Sequence, residues 1–251
     1  MTDRPTSHAG RRPPALGRNG TSEILYGMHT VEAALQNPRR RILRLLATGN
    51  AARRLGPLPA AAGIEAEIVA PRDLDRLADP GAVHQGVLVE ARPLEDPRLD
   101  QIERNATIVL LDQVTDPHNV GAIMRSAAAF AAAAVVTTAR HSPQASAVLA
   151  KAASGAVEWV PFVKVTNLAR AIDELKGYGF TIVGLDSEAA LPIEQAQIRQ
   201  PVALVLGAEG KGLRRLTRES CDTLVRLDLP GPIKSLNVSN AAALALYALR
   251  A

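Results

Sequence analysis

The architecture of the second half of this chain follows from three segments: Asn-Val-Gly-Ala-Ile-Met-Arg at 119–125, Leu-Gly-Ala-Glu-Gly-Lys-Gly at 206–212, and Gly-Pro-Ile-Lys-Ser-Leu-Asn-Val-Ser-Asn at 231–240. Each follows an apolar run that predicts a strand, and the first run is apolar enough for a buried parallel strand; the three runs are 108–111, 203–206 and 224–227. Ligands of α/β proteins bind where such strands end. None of the segments has the glycine spacing of a P-loop or a dinucleotide fingerprint, or the pattern of a hydrolase elbow.

Strands and helices alternate around these segments. Further strands are predicted at 134–138, 157–162 and 180–185, and helices near 120–130, 143–153, 167–177, 213–219 and 240–250. This alternation predicts a mostly parallel sheet that is covered by helices on both faces.

The first part of the chain predicts a smaller α/β unit. A short helix ends near Asn37 and Pro38, and strands follow at 42–47, 65–69 and 86–91, with a broken helix at 51–62 and a helix at 71–77. We therefore expect a disordered basic tail at 1–22, a small domain at 23–92, a linker at 93–105 and a larger domain at 106–251. The tail either tethers RNA or only aids solubility.

Composition narrows the class of protein. The 251 residues are 47% hydrophobic but only 3% aromatic, so alanine, leucine and valine must fill the core. Cys221 is the single cysteine, which excludes an internal disulfide and a cysteine-based zinc cluster and favours a reducing, cytoplasmic environment. We expect no metal, because the five histidines lack ligand spacing, and no membrane segment or secretory signal. A net charge of +4 suits a polyanionic partner such as RNA.

Each segment has a structural and a functional interpretation. Asn119 is placed to cap a helix, and Arg125 is either a solvated charge or a ligand of an anionic group. The glycines around Glu209 form either a simple turn or a loop that presents backbone N–H groups to a ligand. Ser239 or Asn240 is expected to cap the last helix, with Ser235, Asn237 and Ser239 on one side of an extended segment.

Together the three segments resemble the signature motifs of the SpoU (TrmH-type) RNA ribose 2′-O-methyltransferases of the SPOUT superfamily. Tyr-Gly-Met-His-Thr-Val-Glu-Ala-Ala-Leu at 26–35 and His-Gln-Gly-Val at 84–87 resemble the family's L30e-like substrate-binding domain. The strings are most similar to the branch that methylates a guanosine in the peptidyl-transferase region of 23S rRNA. The resemblance implies a trefoil-knotted catalytic domain, a homodimer and S-adenosyl-L-methionine as cofactor.

The resemblance also implies roles for individual residues. The expected catalytic residues are Asn119, Arg125, Glu209, Ser235, Asn237 and Ser239, and the expected cofactor-binding residues are Gly207, Leu227 and Leu236. Arg125 matches the proposed base of the family. Clamping the substrate phosphate is the alternative role, because guanidinium groups stay protonated in proteins. Pro232 and Lys234 depart from the usual small or polar residues of the third motif.

Three alternatives remain open from the sequence. The same chemistry could act on tRNA or another rRNA position, the chain could be a non-catalytic RNA-binding or ribosome-assembly protein, or 207–212 could cradle the phosphate of another nucleotide. His29, Glu32 and the arginines at 39–41 are candidate RNA contacts. With few aromatic residues, RNA recognition is expected to depend on shape and phosphate contacts.

Overall fold

The computed structural model describes residues 22–78, 80–95, 97–140, 149 and 152–250. The predicted tail at 1–22 lies outside the described residues except for Ser22, and so does most of the helix predicted at 143–153. Two separate sheets account for the described strands.

The first sheet is small and mixed. Its strands are β1 (Glu23–Tyr26), β2 (Ile42–Ala47), β3 (Ala66–Ile68) and β4 (Val87–Ala91), in the order β1-β4-β2-β3. Strand β4 is antiparallel to both β1 and β2, whereas β3 is parallel to β2. The helices are α1 (Met28–Gln36), α2 (Gly49–Leu55), α3 (Leu58–Ala61) and α4 (Pro71–Leu77). The predicted break between α2 and α3 is confirmed. Strand β1 was not predicted, although Ile24-Leu25-Tyr26 is apolar.

The second sheet is larger, and all its neighbouring strands are parallel. Its strands are β5 (Ile108–Asp112), β6 (Ala134–Thr138), β7 (Phe162–Val165), β8 (Thr181–Leu185), β9 (Leu191–Pro192), β10 (Val202–Gly207) and β11 (Thr223–Arg226), in the order β7-β6-β5-β10-β8-β11-β9. Its helices are α5 (Pro117–Ala129), α6 (Leu168–Gly177), α7 (Arg215–Glu219) and α8 (Val238–Leu249).

Helices cover this sheet on both faces, as predicted. Strand β5 contributes Val109 and Leu111 to the core beneath α5 and α8, and Ile108 and Leu110 to the core beneath α6. Successive side chains of a strand point to opposite faces of the sheet. Because both faces of β5 are buried, its sequence is a continuous apolar run. The trefoil knot stays a prediction.

The strand predicted at 157–162 is wrong. A 3₁₀ turn occupies Ala156–Glu158, and β7 begins only at Phe162. Glu158 is buried in this turn because its carboxylate has partners in the first domain. Gly155 precedes the turn with φ 83°, and a Cβ there would lie 2.6 Å from the Cβ of Ala33. Close packing of α1 against this turn therefore sets the local structure.

A buried ion pair joins the two domains at this point. Arg40 donates to both carboxylate oxygens of Glu158, with Nη2–Oε1 at 2.6 Å and Nε–Oε2 at 3.0 Å. Asn37 donates to the same carboxylate at 2.8 Å, and Arg40 also donates to Glu23 and to the carbonyl of Arg92. Burial opposes the charge of Arg40, but the hydrogen bond and charge of Glu158 outweigh it and raise the pKa of the guanidinium. The prediction that Arg40 faces RNA is therefore wrong, because its side chain lies in this seam.

The stretch that joins the domains packs against the second sheet. A 3₁₀ turn occupies Leu99–Gln101, and Ile102 follows it. Both Leu99 and Ile102 are buried in the core beneath α6. Arg104 lies over the ring of Tyr178, 3.8 Å from its centroid. Among the described residues, no helix combines the length and apolar character required to cross a membrane.

Candidate active site

The carboxyl edge of the large sheet brings the three segments together at one carboxylate. Glu209 Oε1 accepts hydrogen bonds from the side-chain amides of Asn119, at 3.1 Å, and of Asn237. The Asn237 amide also donates to Asn119 Oδ1 at 2.9 Å, and the backbone N–H of Val238 lies 3.4 Å from Glu209 Oε1. We call Asn119, Glu209 and Asn237 the polar cluster.

Asn119 reaches the cluster because the helix starts earlier than predicted. Helix α5 begins at Pro117, and Asp116 is its N-cap, accepting from the His118 N–H at 2.9 Å. Proline is favoured at the first helical position, where its missing N–H costs nothing. The prediction that Asn119 is the N-cap is therefore wrong, and its side chain is free to bond across to the other segments.

Arg125 lies further along the same helix and is exposed. Within the described part of the chain, its guanidinium forms no hydrogen bond or ion pair. Five N–H donors thus remain available to an anionic ligand. Gly121 of the same helix allows a close approach, since a Cβ there would lie 2.4 Å from the Cβ of Ala152.

The glycines of the second segment build the turn that carries Glu209. A Cβ on Gly207 would lie 2.2 Å from the carbonyl carbon of Gly212, so the turn can fold back on itself only because residue 207 is glycine. The Gly212 N–H donates to the Ala208 carbonyl at 2.9 Å, and Gly210 and Gly212 have φ values of 73° and 64°. This is the left-handed region that glycine occupies without strain.

Asp112 anchors the exit of this turn, and sequence reasoning missed it. Its buried carboxylate accepts from Arg214 twice, from Nε at 2.6 Å and from the backbone N–H at 2.9 Å. Asp112 ends β5 opposite Gly207 in the sheet register. An acidic residue that ends a fully apolar strand next to a predicted site was the available signal, because a buried carboxylate requires partners.

The third segment reaches the cluster through the cap of the last helix. Asn237 is the N-cap of α8, with Oδ1 accepting from the Ser239 N–H at 2.9 Å and from the Ser239 hydroxyl. The prediction that Ser239 or Asn240 caps this helix is therefore wrong, and Ser239 instead lies in its first turn. Asn237 uses its oxygen for the helix and its nitrogen for Glu209, which fixes the orientation of the amide. Ser235 is exposed and forms no hydrogen bond within the described residues.

The loop before α8 has the chemistry expected for a nucleoside-type ligand. Within the described part of the chain, residues 228–236 make no backbone–backbone hydrogen bond, and the Leu229 carbonyl accepts from Lys234 Nζ at 2.8 Å. Most backbone N–H and C=O groups of this loop are therefore available to a ligand. Ile233 and Leu236 project exposed aliphatic side chains from the same loop, and the half-buried Leu227 packs against the core where β11 ends. Free backbone groups beside apolar side chains fit an adenosine moiety, which combines a flat ring with edge donors and acceptors. These residues therefore fit the predicted cofactor.

Known protein families match both parts of the chain. Residues 106–247 match the SpoU rRNA Methylase family, and residues 24–97 match the RNA 2′-O ribose methyltransferase substrate-binding family. The chain belongs to the SpoU rRNA methylase family. This SpoU methylase is 42% identical over 236 residues to the 23S rRNA (guanosine-2′-O-)-methyltransferase RlmB of Yersinia pestis, an alignment that covers 90% of this chain and 96% of the relative. It is 41% identical to RlmB of Haemophilus influenzae over 237 residues, with the same coverage.

Solved structures agree with this family and its cofactor. The SpoU methyltransferase AviRb from Streptomyces viridochromogenes, in complex with AdoMet, is 25% identical with a TM-score of 0.76, covering 93% of this chain and 92% of that one. The TrmH/SpoU tRNA-modifying enzyme of A. aeolicus is 27% identical with a TM-score of 0.51, covering 60% of this chain and 76% of that one. This SpoU methylase therefore uses S-adenosylmethionine and has an additional domain beyond the part shared with the tRNA enzyme.

Neither a reactive cysteine nor a metal site adds to this site among the described residues. Burial raises the pKa of the Cys221 thiol to about 12, so it stays protonated and inert as a nucleophile at neutral pH. Among the described residues, no three His, Cys, Asp or Glu side chains are grouped as metal ligands.

Proposed function

We propose that this SpoU methylase transfers a methyl group from S-adenosylmethionine to the ribose 2′-hydroxyl of a guanosine in the peptidyl-transferase region of 23S rRNA. The observation that supports this most strongly is the polar cluster, in which one carboxylate oxygen accepts hydrogen bonds from Asn119 and Asn237 and so joins three separate motifs. Arg125 lies on the helix that carries Asn119 and forms no ion pair within the described residues. The RlmB relatives methylate a guanosine of 23S rRNA, as their names state.

The protein contributes to this reaction by positioning the acceptor hydroxyl and by placing a positive charge near it. The sulfonium of the cofactor supplies an already activated methyl group, so the residues around it must position the acceptor hydroxyl in line and accept its proton. We assign Arg125 the role of clamping the substrate phosphate and polarising the 2′-hydroxyl, whose proton passes to that phosphate as the methyl group is transferred. A guanidinium donates hydrogen bonds and keeps its charge at all physiological pH values, and that of Arg125 has no partner within the described residues. Asn119, Glu209 and Asn237 hold the three segments in register around that hydroxyl.

The remaining predicted site residues divide between cofactor and RNA. We propose that the cofactor is held by Gly207, Leu227, Leu236 and those backbone groups of 228–236 that have no partner within the described residues. Ser239 is proposed to orient Asn237 through their hydrogen bonds, and the exposed Ser235 to face the RNA or the facing subunit.

A homodimer is proposed as the working form in the cytoplasm. Helix α8 follows the cofactor loop, and its outer side exposes Leu244 and Tyr247 to about half of their full area. Large apolar side chains exposed on neighbouring turns of one helix are typical of an interface. Sedimentation equilibrium of the unmodified chain and of Leu244→Glu tests this, with a dimer expected for the first and a monomer for the second.

The function is tested by methyl transfer from labelled S-adenosylmethionine to a 23S rRNA transcript, followed by mapping of the 2′-O-methylated nucleotide. A single methylated guanosine in the peptidyl-transferase region is the expected result. Transfer to tRNA but not to 23S rRNA would retain the chemistry and reject the substrate. Cofactor binding with transfer only to ribosomal precursor particles would identify an assembling particle as the substrate, and no cofactor binding would support the non-catalytic alternative.

A further inference from the structure

A cavity of about 410 Å³ lies in the seam between the two domains, away from the polar cluster. Its walls come from the loop between α1 and β2, the joining stretch, the end of α5 with the residues before β6, and the residues before β7. The side chains that matter for its chemistry are Arg39, Gln101, Glu103 and Trp159. Its volume is within the range of small-molecule sites, which often form at domain interfaces.

Trp159 is an unusual wall for this cavity. It is the only tryptophan in a chain that is 3% aromatic, yet 52% of its area is exposed. Within the described part of the chain, its indole has no hydrogen-bond partner and no aromatic or cationic neighbour. Trp159 therefore offers an exposed aromatic ring, whereas the sequence predicted RNA recognition by shape and phosphate contacts alone.

Arg39 provides a positive charge in the same cavity. It is exposed, and within the described residues its guanidinium forms no hydrogen bond or ion pair. Arg39 and Trp159 are the chain neighbours of Arg40 and Glu158, the buried pair that joins the domains. The ion pair thus fixes the backbone on both sides of the cavity, and Arg39 and Trp159 face outward into it.

Gln101 and Glu103 offer polar groups on the third side. The Gln101 oxygen accepts from the Arg98 N–H at 2.9 Å, which leaves its NH₂ group to donate. The exposed Glu103 carboxylate is an acceptor for amino or imino groups of a base edge. Alanines at 128 and 131–133 complete an apolar floor.

We propose that this cavity binds an unpaired nucleotide of the RNA substrate, with its base stacked on Trp159 and its phosphate on Arg39. Single-stranded RNA is typically recognised by bases splayed out onto aromatic rings, with basic side chains along the backbone. This inference rests on the proposed function, because it assumes that RNA is the substrate.

The location of the cavity determines which kinetic constant it affects. Helix α5 runs from the polar cluster to the cavity over 13 residues, which is about 20 Å at about 1.5 Å per residue. A nucleotide bound there cannot be the one that is methylated. Its loss therefore weakens RNA binding and raises KM for RNA, while kcat and the affinity for S-adenosylmethionine stay unchanged.

The single tryptophan allows a direct test on the full-length protein. Single-stranded oligoadenylate is titrated while the intrinsic fluorescence of Trp159 is recorded, and the same strand paired in a duplex is the control ligand. We expect saturable quenching by the single strand and none by the duplex. Arg39→Gln should weaken the binding, whereas Arg54→Gln, at an exposed arginine of α2 that does not line the cavity, should leave it unchanged.

Methylation of the 23S transcript is measured in parallel with Trp159→Ala and Trp159→Phe. Alanine should raise KM for RNA about 5-fold or more, as base–aromatic stacking predicts, and phenylalanine should restore part of the loss. Absent quenching, or equal effects of Arg39→Gln and Arg54→Gln, overturns the proposal. So does shielding of Trp159 from a collisional quencher that increases with protein concentration, because a second copy would then cover the cavity. An unmodified protein that methylates no RNA rejects the proposed function, and the quenching titration still decides the nucleotide site.

Discussion

The seam between the domains and the carboxyl edge of the large sheet both contain charged side chains, but they use them in opposite ways. In the seam, the side chains of Arg40 and Glu158 are 3% and 0% exposed. Each buried nitrogen and oxygen atom of these two side chains has a hydrogen-bond partner. At the sheet edge, Glu209 and Asn237 are exposed, and Arg125 has no partner within the described residues. Charges that hold the domains together are neutralised inside the fold, whereas the charge assigned to catalysis is left for the substrate to neutralise.

The largest effect on stability is expected when one half of the seam pair is removed. Arg40→Ala leaves the Glu158 carboxylate buried without its cation, which should lower the free energy of unfolding by about 3–5 kcal/mol. Urea unfolding measures this, with Arg215→Ala as the control because its pair with Glu219 is exposed. Replacing both partners by apolar residues, Arg40→Met with Glu158→Leu, should recover most of the loss. Equal effects of Arg40→Ala and Arg215→Ala would remove the distinction between the two regions.

Arg125→Ala tests the other side of the comparison. Methyl transfer should fall by about 100-fold or more, as expected for loss of a group that handles the reacting proton and the adjacent charge. The urea midpoint and the calorimetric affinity for S-adenosylmethionine should stay unchanged, because the guanidinium forms no hydrogen bond or ion pair within the described residues. Arg199→Ala, an exposed arginine before β10, is the matched control. Comparable loss of cofactor binding and transfer would show that Arg125 acts in the cofactor site.

The two regions also differ in how far the sequence predicted them. The motifs identified Asn119, Glu209 and Asn237, because glycine spacing and strand ends are local signals that place residues at one sheet edge. The seam was not predicted, since its partners are separated by 118 residues and Glu158 has no local feature that indicates burial. The wrong prediction of a strand at 157–162 falls in the same place, because the turn at Ala156–Glu158 carries this long-range partner of Arg40. Local capping was also misjudged at Asn119 and at Ser239, where Asp116 and Asn237 take the cap.

Glu209 combines features of both regions. Its carboxylate is exposed, as at the sheet edge, but it is also hydrogen-bonded to side chains of the two other segments. Glu209→Ala should lower kcat about tenfold or more, since three donors lose their acceptor and even one hydrogen bond to a charged group contributes about 1.5–3 kcal/mol. Glu209→Gln keeps an oxygen acceptor and should lose less. Steady-state kinetics with the 23S transcript measure both variants, with Glu188→Ala as an exposed control. If glutamine is as defective as alanine, the charge of Glu209 acts on the substrate and its cluster is secondary.

The smallest expected effect concerns the half-exposed pair of Lys176 and Asp222, whose nitrogen and oxygen are 2.8 Å apart. Partial burial works against the carboxylate, but hydrogen bonds from Lys176 and from the Ile182 N–H outweigh it and lower the pKa of Asp222. A lowered folded-state pKa stabilises the protein above the unfolded value, near about 3.9, and this contribution is lost as the pH falls through the folded value. Asp222→Asn, which retains an acceptor for Ile182, should therefore cost less than about 1 kcal/mol at neutral pH. Urea unfolding of the two proteins should converge only when the pH has fallen below the lowered folded-state pKa of Asp222, where the carboxylate of the unmodified chain is protonated as well. A difference that persists unchanged in acid would assign the effect to packing and would remove the ion pair from the charges that stabilise this fold.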